Sequence, residues 1–479
     1  MSMDSPRKTE LMHYMDADAP NRDRWIHRNI AYYRDLAKLL SHSIAPGSSV
    51  LEIGCGTGFL LNELNPMRGV GIDLSPRMVA LGREKHPRLE FHVMDAETLT
   101  LSEKFDVVIL SDVLAYFEDI QQVFRELKKV CTPATRIIFT YHSFLWNPLL
   151  ALAERLRLKM AQRRMNWLNE SDIRNLLYVE GFDIVKTGRR FVFPFRFPVL
   201  DTLFNAYLSQ LPLINSLGIT GYTMARLLPA DPPQEGTPQR YSVSIIVPAR
   251  NEKGNIENIM KRIPRMGSHT EVIFVEGNST DGTLEEIRRV CCAYTGKWDV
   301  KALVQDGKGK GDAVRKGFAA ATGDILMILD ADLSVAPEDL SKFYEAIASG
   351  RGEFINGSRL VYPLEEEAMR TLNMIGNKFF SIMFSWLLGQ RLKDTLCGTK
   401  VLARRDYERL IRNRRYFGEF DPFGDFDLIF GSAKLNLKIV EIPIRYHARA
   451  YGETNISRFS HGWLLLKMVA FAMNKIKFV

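Results

Sequence analysis

The chain carries, at residues 50–58, the stretch Val-Leu-Glu-Ile-Gly-Cys-Gly-Thr-Gly, which decides the fold of its first half. The apolar run Val50–Ile53 predicts a buried strand, and the residues Phe59–Leu64 after the glycines predict a helix. Glycine lets the backbone turn sharply and approach a ligand without a Cβ clash. A strand, a glycine turn and a helix in this order indicate a cofactor site at the carboxyl edge of a parallel sheet.

Acidic residues end the next two predicted strands. Asp73 lies 19 residues beyond Gly54, where a carboxylate can accept both hydroxyls of a ribose. Asp95 follows the third strand and is followed by Ala96, at a position where an acid could accept from an adenine amino group. Together these strand ends indicate a nucleoside-bearing cofactor, with a dinucleotide as the competing interpretation.

This half resembles the class I S-adenosylmethionine-dependent methyltransferases over about residues 20 to 228. The resemblance rests on residues 50–58 and on Gly-Ile-Asp-Leu-Ser at 71–75, Met-Asp-Ala-Glu at 94–97 and Phe-Asp-Val-Val-Ile-Leu-Ser-Asp-Val-Leu at 105–114. It implies a Rossmann-like sheet of seven strands and S-adenosyl-L-methionine as cofactor. The implied cofactor-binding residues are Glu52, Gly54, Gly56 and Gly58 near the methionine part, Asp73 at the ribose, and Asp95 and Ala96 near the adenine.

Two side chains are candidates for the methyl-acceptor end of this site. His142 lies just after the fifth predicted strand, where a general base could face the sulfonium, and Asp112 follows the fourth. A satisfied loop histidine is the competing interpretation of His142. A non-catalytic binding module is the alternative for the whole half.

Composition limits the classes of protein and partner. At 479 residues the chain exceeds one usual hydrophobic core, so two domains are expected. The net charge of +8 suits anionic membranes or phosphate-rich substrates, and no zinc-finger or aromatic-basic signature indicates nucleic acid. The five scattered cysteines indicate a reducing compartment. Without a signal-peptide pattern or an apolar span, we expect a cytoplasmic protein, peripheral at the inner membrane face.

A short segment rich in proline divides the chain. Residues 229–240 hold four prolines and no large apolar side chain, which is typical of a linker. On both sides, short β-branched runs alternate with helical patterns, as in parallel α/β sheets. We therefore predict an α/β protein of two domains, at residues 1–228 and 241–479.

The second half has its own strand-end acids. Asp330, Ala331 and Asp332 follow the apolar run Ile325–Leu329. A departing diphosphate needs its charge neutralised, and one or two carboxylates can hold the divalent cation that does so. The pair Asp330 and Asp332 therefore predicts a site for Mg²⁺ or Mn²⁺, with Asp332 also counted among the catalytic candidates.

From about residue 241 to 460 the chain resembles family-2 glycosyltransferases of the GT-A fold, the nucleotide-diphospho-sugar transferase fold. The likeness is greatest to the dolichyl- and polyprenyl-phosphate mannose synthases. It rests on residues 245–252, 274–283, 308–313 and 328–334. It implies a nucleotide sugar of the GDP-mannose or UDP-glucose type. The implied donor-binding residues are Pro248, Arg250, Glu252, Glu276, Asp281, Lys308, Asp330, Ala331 and Asp332.

The same resemblance implies that a polyprenyl phosphate accepts the sugar with inversion. A predicted helix would present Arg370, Asn373 and Asn377 on one face. The resemblance adds Arg359 and Arg449 as phosphate-facing residues. A phosphomonoester is largely dianionic at neutral pH and can attack unaided. A sugar hydroxyl, the alternative acceptor, needs a general base, for which Asp427 and Asp425 are the candidates.

Overall fold

The structure is a computed structural model that describes residues 5–160, 168–194, 201, 203–229, 241–296, 298–361, 371–412, 426–447, 451 and 458–478, except for the side chains of 144, 371–375, 458–462 and 464. Within it the chain divides into two compact units, Met1–Leu228 with Phe478–Val479, and Pro229–Lys477. Residues 230–240, the core of the predicted linker, lie outside the described residues.

The first unit is built around a sheet of seven strands, as the resemblance implied. The strands are β1 (Ser49–Ile53), β2 (Arg68–Asp73), β3 (Glu90–Val93), β4 (Val107–Ser111), β5 (Arg136–His142), β6 (Phe182–Arg190) and β7 (Thr220–Leu227). Their order across the sheet is β3-β2-β1-β4-β5-β7-β6. The first five strands run parallel, whereas β7 is antiparallel to both β5 and β6.

Helices cover both faces of this sheet, since its central strands are mostly apolar and are buried on either side. They are α1 (Pro6–Asp18), α2 (Arg22–Arg28), α3 (Ile30–Ser43), α4 (Phe59–Leu64), α5 (Pro76–Lys85), α6 (Ile120–Leu127), α7 (Asn147–Arg155), α8 (Glu170–Val179) and the short α9 (Pro212–Asn215). Ser75 caps α5, because its hydroxyl accepts from the Met78 amide at 3.1 Å.

The second unit has a sheet of its own. Its strands are β8 (Val243–Ala249), β9 (Thr270–Glu276), β10 (Asp299–Val304), β11 (Ile325–Ile328), β12 (Phe354–Ser358), β13 (Lys400–Ala403) and β14 (Ile439–Pro443). Their order is β10-β9-β8-β11-β13-β12-β14. The strand β13 is antiparallel to β11 and β12, and the other pairs are parallel.

The helices of the second unit also flank its sheet on two faces. They are α10 (Ile256–Arg262), α11 (Thr283–Ala293), α12 (Lys310–Ala320), α13 (Leu340–Ala348), α14 (Thr371–Leu388), α15 (Arg404–Arg412), α16 (Phe426–Lys434) and α17 (Arg458–Ala472). The predicted fold class, two α/β units, is confirmed. The expectation of parallel sheets is wrong at β7 and β13, because each of these strands enters its sheet from the opposite end.

Candidate functional site

The glycine turn after β1 takes a backbone form that other residues rarely adopt. Gly54, Gly56 and Gly58 have φ angles of 74°, 53° and 78°. A Cβ on Gly54 would lie 2.4 Å from Val113 Cγ1, and one on Gly58 would lie 2.4 Å from Phe91 Cζ. Glycine is therefore required at these two positions by both the backbone and the packing.

Asp73 at the end of β2 is joined to this turn. One oxygen of its carboxylate accepts from the Gly56 amide at 2.8 Å, and the other accepts from the Ser75 amide at 2.9 Å. Each carboxylate oxygen has further acceptor capacity, so Asp73 can still receive hydroxyl donors. Burial raises the pKa of Asp73, against the opposing effect of these two amides.

Glu52 lies below the turn and is buried. Its carboxyl accepts from the Leu61 amide at 3.1 Å. Burial raises the pKa of Glu52 to about 8, and the negative charge of Asp73 acts in the same direction. Glu52 is therefore largely protonated at neutral pH, and a polar ligand beside it meets a neutral carboxyl group.

Asp95, predicted to lie near an adenine, is bound by the N-terminal helix. Its carboxylate contacts Lys8 Nζ of α1 at 2.5 Å, and the same ammonium lies 2.9 Å from Glu97. The other oxygen of Asp95 accepts from the Glu97 amide at 2.9 Å. Asp95 and its neighbour Ala96 are both buried.

Sequence reasoning missed the helices α1 and α2 at this site. Asp16 of α1 accepts from the Ser75 hydroxyl and from the Arg77 amide, the latter at 3.1 Å. Arg22 of α2 lies beside the glycine turn, since its Nε would be 3.7 Å from a Cβ on Gly56. Lys8 and Asp95 are 87 residues apart, and no local pattern could have paired them.

At the other end of the site, His142 lies near Asp112 and a tyrosine that the sequence did not indicate. Tyr32 donates its hydroxyl to Asp112 at 2.5 Å, and its ring centroid is 5.8 Å from that of His142. The Nδ1 atom of His142 is buried and has no hydrogen-bond partner within the described part of the chain. Burial lowers the pKa of His142, so the imidazole is neutral at pH 7.

In the second unit, the turns after β8 and β9 interlock. Asn251 has a φ of 56°. Its side-chain oxygen accepts from the Thr280 backbone amide at 2.9 Å, and its backbone amide donates to Ser279 Oγ at 3.0 Å. Asp281 accepts from the amides of Thr283 and Lys253 at 3.0 and 3.2 Å. The structure thus brings the two predicted donor-binding turns together, and Asn251 was not predicted.

The remaining predicted donor-binding residues lie on the same turns. Glu252 is buried and accepts from Asn255 Nδ2 at 2.7 Å, and Glu276 is buried and accepts from the Ser279 amide. Pro248 is half-buried at the end of β8, and Arg250 is exposed. Lys308 is exposed in the turn that leads into α12.

The carboxylate of Asp330 holds a cationic partner. Lys310 Nζ, at the start of α12, lies 2.6 Å from its Oδ1. Burial alone would raise the pKa of Asp330, but the charge of Lys310, aided by Lys400 and Arg359, holds it below the usual value. A Cβ on Gly398 would lie 1.8 Å from Asp330 Oδ2, so a side chain there would force the Asp330 carboxylate to move.

Asp332 lies two residues further on and is buried, as is Ala331 between the two acids. The Oδ1 atom of Asp332 accepts from the amide of Ser334 at 3.0 Å and from its hydroxyl at 2.7 Å. Leu333 between them has a φ of 56°, a left-handed conformation that a branched side chain rarely adopts. The turn therefore fixes the orientation of the second acid.

Arg359, predicted to face a phosphate, forms a buried ion pair. Its Nε and Nη2 lie 2.7 and 2.8 Å from the two oxygens of Asp394, whose Oδ2 also accepts from the Arg359 amide at 3.0 Å. Its guanidinium lies 5.0 Å from the centre of the Tyr446 ring. Lys400, wholly buried, donates to the Cys397 carbonyl. Asp394, Gly398 and Lys400 were not predicted as site residues.

The structure describes few of the predicted acceptor residues. Asn377 is buried in α14, and Asp427 is half-buried in the first turn of α16. Arg370, Asp425 and Arg449 lie outside the described residues, as does the side chain of Asn373.

Comparisons with known proteins agree with the two resemblances. A family model described as "Methyltransferase domain" matches residues 44–184, and one described as "Glycosyl transferase family 2" matches residues 244–414. The recognition of one domain of each kind is confirmed.

Relatives of known name match the second half. The chain is 30% identical over 222 residues to a dolichol-phosphate mannosyltransferase of Pyrococcus furiosus, and the alignment covers 45% of this chain and 59% of that protein. It is 27% identical over 228 residues to a dolichyl-phosphate hexose transferase of Haloferax volcanii, covering 47% of this chain and 92% of that protein. The chain thus spans less than two thirds of the length of the Pyrococcus furiosus relative.

A solved structure resembles the first half. It is a SAM-dependent methyltransferase of Thermotoga maritima described as a possible histamine N-methyltransferase, with a TM-score of 0.35 and 17% identity. The match covers 45% of this chain and 98% of that one. Similarity at this level identifies no substrate.

Proposed function

We propose that this chain, which joins a methyltransferase domain to a family 2 glycosyl transferase domain, is a bifunctional enzyme. The second domain transfers a hexose from a nucleotide sugar of the GDP-mannose or UDP-glucose type to a polyprenyl phosphate, by metal-dependent inverting displacement. The first domain transfers a methyl group from S-adenosyl-L-methionine to an acceptor. The observation that carries the proposal is the pair of carboxylates Asp330 and Asp332, which follow the buried strand β11.

The residues around Asp330 fit a divalent cation. Lys310 already places a positive charge against this carboxylate, and Asp332 supplies a second, buried carboxylate. Mg²⁺ in phosphate-transfer sites is commonly held by one or two carboxylates together with substrate phosphates. The described residues contain no group of three or more His, Cys, Asp or Glu that could hold a metal alone. The two carboxylates support a cation shared between Asp330, Asp332 and the donor diphosphate, whose departing charge it would offset.

The protein's own contribution is to hold these acids in place. The hydroxyl and amide of Ser334 fix one oxygen of Asp332, and the bare backbone at Gly398 leaves room for the Asp330 carboxylate. The Arg359–Asp394 pair stiffens the segment that carries Gly398, since Asp394 also accepts from the Leu396 amide at 3.1 Å. We assign Arg359 a positioning role through Asp394, because the pair already uses Nε and Nη2 of its guanidinium.

A lipid phosphate is the acceptor that the rest of the second domain favours. The exposed side chains of α14 and α17 include Phe379, Ile382, Trp463 and Leu466, and Lys467 lies 5.7 Å from the centre of the Trp463 ring. Apolar side chains next to lysines suit the interface of an anionic membrane. None of the helices in the part of the chain described here combines the length and apolarity that a membrane crossing requires. The exposed apolar side chains of α14 and α17 support the proposal of a peripheral membrane contact.

The first domain fits S-adenosyl-L-methionine. The glycine turn leaves a cradle beside Gly56, and the carboxylate of Asp73 keeps lone pairs free for ribose hydroxyls. The neutral imidazole of His142 can accept a proton from a methyl acceptor, and the Tyr32–Asp112 pair lies beside it. When bound, the cofactor would supply the methyl group, while these side chains orient the acceptor and take up its proton.

Radiolabelled GDP-mannose or UDP-glucose, incubated with polyprenyl phosphate, tests the second activity. We expect label in the organic phase that requires a divalent cation. Label found only in a water-soluble product would contradict the lipid acceptor and favour the alternative, transfer to a sugar hydroxyl with Asp427 as base. Calorimetry with S-adenosyl-L-methionine tests the first domain separately, and failure of the native chain to bind it would contradict a methyltransferase.

A further inference from the structure

The first unit exposes its large apolar side chains in two short segments. Among its described residues, fifteen large hydrophobic side chains are exposed, and ten of them lie in residues 145–158 and 203–217. Isolated exposed apolar residues are normal on a protein surface, but such concentration in two segments indicates a surface with a partner. We call the exposed leucines of these two segments the leucine surface.

Helix α7 provides the larger part of the leucine surface. Leu149 and Leu152 lie three residues apart in α7 and so share one helical face, and Leu145 and Leu156 lie just before and just after the helix. The side chains of Leu145, Leu149, Leu152 and Leu156 are 59%, 56%, 50% and 60% exposed. The helix buries none of its residues. A helix that packs on a core buries one face, so the leucine face of α7 is built to be covered by something other than this unit's core.

The second segment adjoins the first. The indole Nε1 of Trp146 donates to the Leu217 carbonyl at 2.7 Å, which ties the start of α7 to the segment before β7. In that segment Leu213 is 87% exposed and Leu217 is 47% exposed. The short helix α9, which contains Leu213, also buries none of its residues.

Strand register places this surface at the acceptor end of the domain. His142 at the end of β5 pairs with Thr220 at the start of β7. The segment with α7 leaves the sheet just after His142, and the segment with α9 enters it just before Thr220. The leucine surface therefore flanks the edge at which the candidate base His142 lies.

The charges of the segment that contains α7 complement an anionic surface. Between residues 145 and 160 the charged residues are Arg155, Arg157, Lys159 and Glu154, three cations against one acid, which gives a net charge of +2. Glu154 is already paired with Lys159 at 3.3 Å, and residues 203–217 carry no charged side chain. Leucines on one helical face with arginines beside them are typical of helices that lie in a membrane interface.

A protein partner fits these features less well. The centres of protein interfaces are enriched in aromatic residues and methionine, and leucine is under-represented among the residues that dominate their binding energy. We propose that the leucine surface lies on an anionic lipid bilayer, and that the methyl acceptor is a lipid-linked molecule presented from that bilayer. The second statement rests on the proposed methyl transfer, whereas the first does not.

Hydrogen exchange of the full chain tests the bilayer contact, with vesicles of phosphatidylcholine alone or mixed with phosphatidylglycerol. We expect the amides of residues 145–158 and 207–217 to exchange at least roughly fivefold more slowly with the anionic vesicles. The control is the exposed apolar pair Tyr178 and Val179 of α8, whose exchange should not change. Equal exchange of the two segments with and without vesicles would overturn the proposal. Protection that rises with protein concentration in the absence of vesicles would also overturn it, because the partner would then be a second copy.

Variants separate the leucine surface from other membrane contacts of the chain. Replacing Leu149, Leu152 and Leu213 with serine should abolish the vesicle-dependent protection of residues 145–158, while Tyr178→Ser with Val179→Ser should preserve it. The triple variant should fold, since the side chains it removes are exposed, and unchanged thermal unfolding checks this. Arg155→Gln with Arg157→Gln should weaken this protection on anionic vesicles by roughly fivefold for each charge removed. Full protection in the triple variant would contradict the assignment.

The acceptor is tested with S-adenosylmethionine labelled in its methyl group and a membrane extract. Label in the organic phase, lost in the triple leucine variant, supports a lipid-linked acceptor. Label in a water-soluble product alone overturns it. Absence of methyl transfer to any fraction, with the vesicle protection intact, would instead refute the proposed methyltransferase activity and leave the bilayer contact standing.

Discussion

The two units place an acid at the end of a buried strand in the same way but give it different partners. Asp73, the last residue of β2, is bound by the backbone amides of Gly56 and Ser75. Asp330 after β11 is bound by the ammonium of Lys310. Burial raises the pKa of Asp73, whereas neighbouring cations keep that of Asp330 low. Two strand-end acids are thus suited to the different ligands proposed for them, hydroxyl donors for the first and a cation for the second.

This difference shows that the presence of a carboxylate at a strand end is not enough to identify the ligand it binds. Neutral amide donors hold the first carboxylate, which keeps acceptor capacity for the hydroxyls of a ribose. The lysine at the second marks a position at which a positive charge is stable before any substrate binds. The partners of the two carboxylates therefore distinguish the two chemistries proposed for them.

The largest expected effect is at Asp332. Asp332→Asn removes one of the two charges proposed to hold the cation, and we expect sugar transfer to fall by roughly a thousandfold or more. Binding of S-adenosyl-L-methionine should not change. The matched control is Asp306→Asn, an exposed acid of the same unit whose partner is Lys316. Sugar transfer at the native rate in the Asp332 variant would remove the distinction between the two sites.

The next effect concerns pH and the stability of the first unit. Glu52 has a folded-state pKa of about 8, well above its usual value of 4.5, because it is buried. Between pH 4.5 and 8 the folded state therefore keeps a proton on Glu52 that the unfolded state has already released. Stability should fall as pH rises through this window, by on the order of 1 kcal/mol per pH unit.

Glu52→Gln checks this, because the amide has no proton to lose and keeps an acceptor for the Leu61 amide. We expect urea unfolding of the variant to depend less on pH between 5 and 8 than that of the native chain. The difference between the two proteins should be greatest above pH 8. An identical pH dependence would mean that other groups, such as Asp73, set the slope.

A smaller effect is expected at Asp73. Asp73→Ala removes the carboxylate that would accept the ribose hydroxyls, and we expect the affinity for S-adenosyl-L-methionine to fall by roughly a hundredfold. Calorimetry measures this, and metal-dependent sugar transfer serves as the internal control. Asp73→Asn should lose less, since one oxygen remains to accept from the Gly56 amide. Native affinity in the alanine variant would contradict the assignment of this acid to the ribose.

The sequence predicted both strand-end acids because each follows an apolar run, a signal contained in a few neighbouring residues. It also predicted the strands β1 and β11 from the apolar runs Val50–Ile53 and Ile325–Leu329. It did not predict β13, which begins with the wholly buried Lys400, or β14, which contains Glu441 and ends at Pro443. Charged residues and proline lower the strand signal, and only their tertiary partners make them fit.

Contacts distant in sequence could not be predicted for the same reason. The salt bridge from Lys8 to Asp95 joins residues 87 apart, and Gly398 lies 68 residues beyond the acid it accommodates. A glycine in a loop and a lysine in a polar N-terminal segment carry no local mark of such partners. The fold class and the strand-end acids therefore followed from local pattern, and the residues that orient them required the structure.

The smallest effect sharpens the comparison most directly, because it tests whether Lys310 stands where a metal would bind. A divalent cation at Asp330 must displace or reorient the ammonium, so Lys310→Gln should bind Mn²⁺ more tightly, by roughly tenfold. Electron paramagnetic resonance of free Mn²⁺ measures this without any turnover. Lys308→Gln, an exposed lysine two residues away, is the matched control and should bind Mn²⁺ as the native chain does. Weaker binding of Mn²⁺ by Lys310→Gln than by the native chain would contradict this competition. The Asp330 carboxylate would then contact the Lys310 ammonium and the Mn²⁺ ion at the same time.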